Sequence, residues 1–584
     1  MKNDSLFSHE FNDLYSSSKG PVEESEYVFI KGNRLEERFK KIDENRNFHI
    51  GEIGFGIGLN FLTTCRAWLK LTKGNQTLEF TSFDKQIFQL KDFKTYISQL
   101  SGLEEYGHVF EKSYPYNIEG VQKFSLFDGR VILNLVIGDI SKTIEYLTSL
   151  NQVDAWFLDG FTPAKNPQLW SDVLLNAIGK TCIDGSTYST YTSSGMVKKN
   201  LAQSGFSVEK IEGFSNKRHM LHGQSLSKNL YKSSSKKKIA IIGAGISGCI
   251  LAHVLSKKGQ EVDLYEKSNS ICSGASDHKL LVTYPRLSAH DTSFGRFSIQ
   301  SYLHAIKFYE SLNSKAWKKT GVLMLNHDEA SKKRNDALLS KRSDDLIYQY
   351  VDVKEASDIS GINLMYEGLY FKDAGYIIPN EMCNFLVDSP NISVFRSSEV
   401  NNLSNSKDKV TFTIGNDIFE YDEVCVCTGS GSEDLIELNG SSLKRGQVSI
   451  VKSEESLKDI RVPVCAKGYI SPMIDGIHLV GSSYSNHLDT EIREDEHASN
   501  LRNLKIIYSG DPVIKSGKAG LRAVSKDHVP IAGNLEGIFV NTCHGSKASV
   551  TAPICAEVVA CKMLNLPPPL EKSELDALSP LRFN

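Results

Sequence analysis

Before residue 225 the chain alternates short apolar runs with longer segments of helical period. The runs HIGEIGF, LEFTSFD, NLVIGD and DAWFLDG have strand length, and each ends in a glycine, an acid or both. Between the first two, Phe61, Leu62, Cys65, Trp68 and Leu69 fall at offsets of 1, 4, 7 and 8, one face of a helix. Strand and helix in alternation predict a parallel sheet with crossover helices. A second unit of the same kind opens at KIAIIGAGISG. Mixed strand and helix material then continues for about 300 residues.

Between the two lies Ser225 to Lys238, SLSKNLYKSSSKKK, rich in serine and lysine. It carries too little apolar surface to fold alone and predicts a solvated tether, although the lysine run has the charge to touch RNA phosphates. The expected division is 1–232 and 233–584. No internal repeat is visible. The 584 residues, 40% hydrophobic and 23% charged, suit an ordinary globular protein of three or four structural units.

A net charge of −3 does not announce a nucleic-acid binder, but a basic face can sit on a neutral protein. The 11 cysteines are scattered, with no CxxC pair, and Cys425 and Cys427 stand too close for ordinary zinc spacing. Buried thiols in a reducing cytosol, with no metal, are expected. The polar N-terminus lacks the apolar core of a signal peptide, and no stretch of about 18 uncharged apolar residues exists, so a cytoplasmic protein without membrane spans is expected.

The first glycine-rich turn, FHIGEIGFGIGLN, runs from an apolar strand through Glu52 to Gly54, Gly56 and Gly58, then into a helix. Such a turn lets backbone pass close to a nucleotide at a helix N-terminus. A dinucleotide or S-adenosylmethionine would fit. Three acids favour the latter: Glu52 before the glycines, Asp84 placed for ribose hydroxyls, and Asp139 near where an adenine amine would lie. Each acid could instead cap a helix. Asp159 ends the fourth strand, where open α/β sheets place their sites. A carboxylate there can accept an amine's proton and aim its lone pair at a methyl donor, with Phe161 and Pro163 walling the pocket. The alternative is a capping Asp beside a turn proline.

In the second unit, Gly243, Gly245 and Gly248 form G-x-G-x-x-G between strand and helix, and Glu266 follows 23 residues after Gly243. That acid suits the ribose of an ADP-containing cofactor. FAD is preferred over NAD because GLRAVSKDHVPIAGN leads through a strand to Gly545 and a long apolar helix. The positive end of that helix can stabilise a reduced flavin. Arg522 and Lys547 are candidates to hold a substrate carboxylate, or are structural ion-pair members.

The chain resembles, over nearly its full length, the bacterial family of bifunctional tRNA 5-methylaminomethyl-2-thiouridine biosynthesis proteins. The resemblance is carried by GEIGFGIGLNF, DAWFLDGFTPAKNPQLW, STYSTYTSSGMVKKNLAQSGF, GFSNKRHML, GAGISG, YPRLSAHD, GLRAVSKDHVPIAGN and CHGSKASVTAPICAEVV. It implies a Rossmann-like methyltransferase sheet joined to an FAD-binding Rossmann domain with an α+β substrate domain of the glycine and sarcosine oxidase type. It implies two consecutive reactions on the wobble uridine of tRNA, with Asp159 as the methyltransferase base. The FAD module would remove the carboxymethyl group of 5-carboxymethylaminomethyl-uridine. The first module would then methylate the amine. A monomer with tRNA as partner is expected. Two positions depart from the pattern: Asp277-His278 stands where Gly-Asn is usual, and Lys547 where arginine is expected. Action on small free amines, or a non-catalytic RNA-binding scaffold, are the alternatives.

Overall fold

The computed structural model describes residues 7–8, 13–14, 20–44, 46–74, 76–215, 217–231, 236–288, 290, 292–341, 347–406 and 409–584. The chain divides into two compact units, residues 1–234 with 569–572, and residues 235–568 with 573–584.

The first unit is built on an eight-stranded sheet. Its order is Gly120–Leu126, Val131–Ile137, Leu78–Asp84, Phe48–Ile53, Val153–Leu158, Cys182–Thr190, His219–Gln224 and Glu209–Glu212. The middle strands, from Val131–Ile137 to Cys182–Thr190, run parallel, and antiparallel strands close both edges. Every residue of Phe48–Ile53 and Val153–Leu158 is buried, as strands covered on both faces must be. Alternation sends neighbours to opposite cores: Phe157 packs with Phe61 and Phe80, Trp156 with Trp170 and Tyr188.

The second unit holds a six-stranded sheet ordered Ile392–Phe395, Glu261–Tyr265, Lys238–Ile242, Glu423–Val426, Ile538–Thr542 and Ile531–Leu535. All but the last are parallel. Helices Ile246–Lys257 and Ala548–Leu564 are buried almost all round, which explains their apolar sequences. A separate eight-stranded sheet contains the 12-residue strands Ser441–Lys452 and Ile514–Ser525, antiparallel to each other, with Lys444 opposite Arg522.

The segment expected to be a solvated tether is pinned at both ends. Ser225 N–H bonds to Ser186 O at 2.8 Å, Leu226 N–H to Gly205 O at 2.8 Å, and the Arg46 guanidinium lies 4.5 Å from the Tyr231 ring centroid. At the other end Lys236 pairs with Glu261, and Lys237 pairs with Glu423 while donating to Met563 O at 2.7 Å. Those two lysines pair with acids of their own unit; residues 232–235 lie outside the described residues. All 11 cysteines are buried and free. Among the described residues no helix is long and apolar enough to cross a membrane.

The second glycine turn separates two demands. A Cβ on Gly248 would lie 1.9 Å from Gly243 O, whereas one on Gly245 would meet nothing closer than Ser276 Oγ at 3.5 Å. Gly248→Ala is expected to destabilise ligand-free protein by about 1–3 kcal/mol, and Gly245→Ala by less than about 0.5 kcal/mol. Urea unfolding of the two variants checks this, and equal losses would contradict the close approach.

Candidate functional site

In the first unit, strand Phe48–Ile53 lies between Leu78–Asp84 and Val153–Leu158, so the chain leaves it between two neighbouring strand ends. Gly54 N–H donates to Phe83 O and Asp159 N–H to Ile53 O, each at 2.9 Å. Gly54 takes φ 97°, and a Cβ there would lie 2.5 Å from Asp159 O. No other residue satisfies both conditions. Gly56 then donates its N–H to Asp84 Oδ2 at 2.8 Å, and Gly58 precedes helix Leu59–Leu71.

These ends surround a cavity of about 800 Å³ lined by Gly54, Gly56, Asp84, Asp139, Asp159 and Phe161, among others. Glu52 lies fully buried beside it, accepting from Ser82 Oγ at 2.7 Å and from Asn60 Nδ2 at 3.0 Å. Asp159 Oδ2 accepts from the same Asn60 nitrogen at 2.8 Å. Burial pushes the carboxyls up: Asp159 to about 7, Glu52 to about 8 with Asp159 and Asp84 adding to the rise, and Asp84 to about 6 against the N–H bonds it accepts.

Asp139 caps helix Ile140–Ser149 through Ser141 N–H at 2.9 Å while lining the cavity, so its two sequence readings coexist. Its bonds from Ser141 hold it below the usual carboxylate range. Pro163 is buried away from the cavity; Pro167 of the same loop lines it instead. Gly58 borders the turn without lining the cavity.

Sequence reasoning passed over Asn60, Ser25, Tyr191, Trp170 and Lys217. The Tyr191 hydroxyl donates to Gly160 O and Trp170 Nε1 to Phe161 O, each at 2.8 Å, which fixes the turn that carries Asp159. Lys217 Nζ pairs with Glu24 at 2.8 Å and stands 4.3 Å from the Tyr191 ring centroid. A polar Asn60 directly after the glycine turn, in the first turn of the helix, was the available signal. Clustered buried carboxyls beside an enclosed space suit a cationic ligand with hydroxyls, as S-adenosylmethionine is.

The second unit repeats the turn. Gly243 N–H donates to Tyr265 O at 2.7 Å, Cys427 N–H to Ile242 O at 2.8 Å, and Gly243 takes φ 101°. Glu266 accepts from Ala244 N–H at 3.0 Å and from Ser268 N–H at 2.9 Å. The clearance over Gly245, against the tight contacts of its neighbours, is the cradle that a pyrophosphate needs, so the residues fit an ADP-containing cofactor such as FAD.

Gly545, at φ 56°, donates to Ala523 O at 3.0 Å and so ties the start of helix Ala548–Leu564 to the strand bearing Arg522. Lys547 is the N-cap of that helix; its Nζ lies 3.2 Å from the Tyr284 ring centroid and donates to Tyr284 O at 3.3 Å. Burial pulls its ammonium down to about 7, with Arg286 adding to the fall and Cys465 opposing it. Arg522 donates to Ser482 Oγ at 3.0 Å, and burial lowers it too. The two cations act on paired residues of one short hairpin, Lys547 on Cys465 and Arg522 on Tyr469.

Glu496 holds the Ser482 loop by accepting from Ser483 Oγ at 2.7 Å and Ser485 Oγ at 2.8 Å, and Arg445, fully buried, pairs with Glu496. Asp277 spends its charge on Lys518, and burial beside Arg522 holds His278 down to about 4, so the unusual dipeptide adds no free charge.

A family model described as FAD dependent oxidoreductase matches residues 238–562, and one described as S-adenosyl-L-methionine-dependent methyltransferase matches residues 101–226. The tRNA 5-methylaminomethyl-2-thiouridine biosynthesis bifunctional protein of Methylobacillus flagellatus is 31% identical, over 99% of this chain and 94% of its own length. Its counterpart in Nitrosospira multiformis is 32% identical, over 100% and 97%. Among solved structures, glycine oxidase from Geobacillus kaustophilus aligns with TM-score 0.52 at 18% identity, over 59% of this chain and 99% of its own. L-proline dehydrogenase from P. horikoshii aligns at 0.52 and 19%, over 60% and 98%. These two support the fold alone. By its full-length relatives, the chain belongs to the family of tRNA 5-methylaminomethyl-2-thiouridine biosynthesis bifunctional proteins.

Proposed function

We propose that the chain carries out two consecutive reactions on the wobble uridine of tRNA. The second unit removes the carboxymethyl group of 5-carboxymethylaminomethyl-(2-thio)uridine, and the first methylates the amine so exposed. The observation that carries this reading is the opposite charge of the two sites. Carboxyls, Glu52 buried and Asp84, Asp139 and Asp159 half-buried, gather at the first cavity, where an amine must lose a proton; the half-buried cations Arg522 and Lys547 mark the second, where a carboxylate must be held.

In the first site Asp159 accepts the proton of the amine and orients the nitrogen, while Asp84 is placed for ribose hydroxyls. S-Adenosylmethionine supplies the methyl group. Tyr191 and Trp170 keep the Asp159 turn from shifting as the charge moves. In the second site Arg522 and Lys547 hold the carboxylate and present the adjacent carbon. FAD, held at the Gly243–Gly248 turn and Glu266, would supply a hydride acceptor for that carbon beside a neutral amine. Hydrolysis of the resulting imine would release glyoxylate and leave the aminomethyl group. On this reading the protein works in the cytoplasm as a single chain and calls on no metal.

Nucleoside analysis of tRNA from cells lacking the protein is expected to reveal accumulated 5-carboxymethylaminomethyl nucleoside. Cells supplied instead with Asp159→Asn should accumulate the aminomethyl form. Unaltered tRNA, with purified protein methylating only small amines, would overturn the tRNA reading.

Folded Asp159 keeps its proton up to about pH 7, well above the ordinary aspartate value of 3.8. Between those values the folded chain binds the extra proton, so stability falls as pH rises through the window and stays lower above it. Ligand-free Asp159→Asn should therefore melt above the wild type at pH 8 and close to it at pH 4. Its methyl transfer should fall by about 100-fold or more. Calorimetry and a transfer assay check the two effects.

Lys547 is cationic below about pH 7 and neutral above it. Flavin reduction by the carboxymethylated substrate should lose kcat/KM as pH rises through that point. Lys547→Met should lower kcat/KM at pH 6 and flatten the profile, whereas Lys547→Arg should extend the plateau upward. An unchanged limb in the methionine variant would assign it to another group.

A further inference from the structure

Asn60 is the second residue of helix Leu59–Leu71 and is buried. Both of its N–H donors are spent within the site. Nδ2 donates to Glu52 Oε1 at 3.0 Å and to Asp159 Oδ2 at 2.8 Å, and Oδ1 accepts from Ser25 Oγ at 2.7 Å. An amide has two N–H donors and a carbonyl oxygen with two lone pairs, so both donors and one lone pair are used here. Turning it over would aim the oxygen at two carboxyls, which only accept when ionised, so the acids select the NH₂ end, and the Ser25 hydroxyl holds the oxygen end in place.

We propose that Asn60 is a positioning residue for methyl transfer: its two N–H bonds clamp Glu52 to Asp159 and leave the second oxygen of Asp159 for the substrate amine. This rests on the reading of Asp159 as the group that takes the amine proton.

The surroundings make the clamp necessary. Asp159 is faced by Glu52 from its own sheet, Asp84 from the next strand end, Glu24 from helix Pro21–Ser25, and Lys217 from the turn before His219–Gln224. Four of these five groups are acids, and Lys217 is already paired with Glu24 at 2.8 Å. A carboxylate among acids in a buried place takes a proton unless something donates to it. Asn60 supplies that donation directly. The shared amide also fixes the separation of the two carboxyls, so Glu52 braces Asp159 without touching the amine.

The consequence is a signature that a merely structural asparagine would lack. Loss of the donor raises the pKa of Asp159 and reduces its basic form at neutral pH, and the loss shrinks as pH rises. The test is single-turnover methyl transfer from saturating S-adenosylmethionine to tRNA bearing the aminomethyl nucleoside, from pH 6 to 9.5, with full-length protein. Asn60→Ala is expected to lose about 5-fold at pH 7, with its rising limb displaced upward by about one pH unit and most of the rate regained at the alkaline end. KM for S-adenosylmethionine should stay within about three-fold. Ser25→Ala, which touches neither acid, should displace the limb in the same direction by less.

An equal loss at every pH, or no loss, would overturn the proposal. If circular dichroism shows that Asn60→Ala does not fold, the Ser25→Ala limb decides: a displaced limb supports the clamp and an unmoved limb overturns it. Asp159→Asn separates the two readings. If it retains methyl transfer, the base assignment falls; if it is inactive while Asn60→Ala leaves the limb in place, only the clamp falls.

Discussion

Both units depend on one constraint: a glycine squeezed where a parallel strand ends between two neighbours. In the first unit Gly54 bonds to the carbonyl of Phe83 and lies against that of Asp159; in the second Gly243 bonds to that of Tyr265 and lies against that of Cys427. In each, the next strand ends in an acid that accepts an N–H from the turn, Asp84 from Gly56 and Glu266 from Ala244. The acid therefore does two things at once. It satisfies a loop amide that would otherwise be orphaned, and it stands at the edge where a ribose can reach it.

That shared frame does not choose the chemistry. What differs is the residue leaving the strand on the other side of the turn. In the first unit it is Asp159, a half-buried carboxyl that shares the Asn60 amide with Glu52, so the frame itself brings a carboxyl to the cavity. In the second it is Cys427, which offers a backbone carbonyl and no charge, so the charged groups come from elsewhere. The long strand Ile514–Ser525 brings Arg522, and the cap of helix Ala548–Leu564 brings Lys547. Arg445 and Glu496, far apart in sequence, hold the Ser482 loop against Arg522.

The readable part of the sequence was the part governed by local rules. Apolar runs ending in glycine and acid gave both parallel sheets, because strand period, turn glycine and switch point are set within about 30 residues. Glu52, Asp84 and Glu266 were legible for the same reason. Asn60 was not, because a buried asparagine in an apolar helix has meaning only once Glu52 and Asp159 are known to flank it. Tyr191 and Lys217 reach the first site from loops at the ends of strands distant in sequence. The lysines after residue 235 read as a solvated run because their acid partners, Glu261 and Glu423, lie elsewhere in the chain. Pro163 was misplaced against Pro167 because loop side chains follow no period.

Burial makes the two sites costly in opposite ways, and each cost is useful. Carboxyls raised toward neutrality accept a proton near the pH at which an amine must give one up. An ammonium lowered toward neutrality binds a carboxylate only when the pair together restores the charge that burial opposes, which ties affinity to the group being removed. On the proposed roles, once that carboxylate has left as glyoxylate the second site has lost the partner its cations would hold, and the amine that remains suits the acidic first cavity. The order of the two reactions then accords with charge: the first step converts the nucleoside from a form that suits cations into one that suits carboxylates.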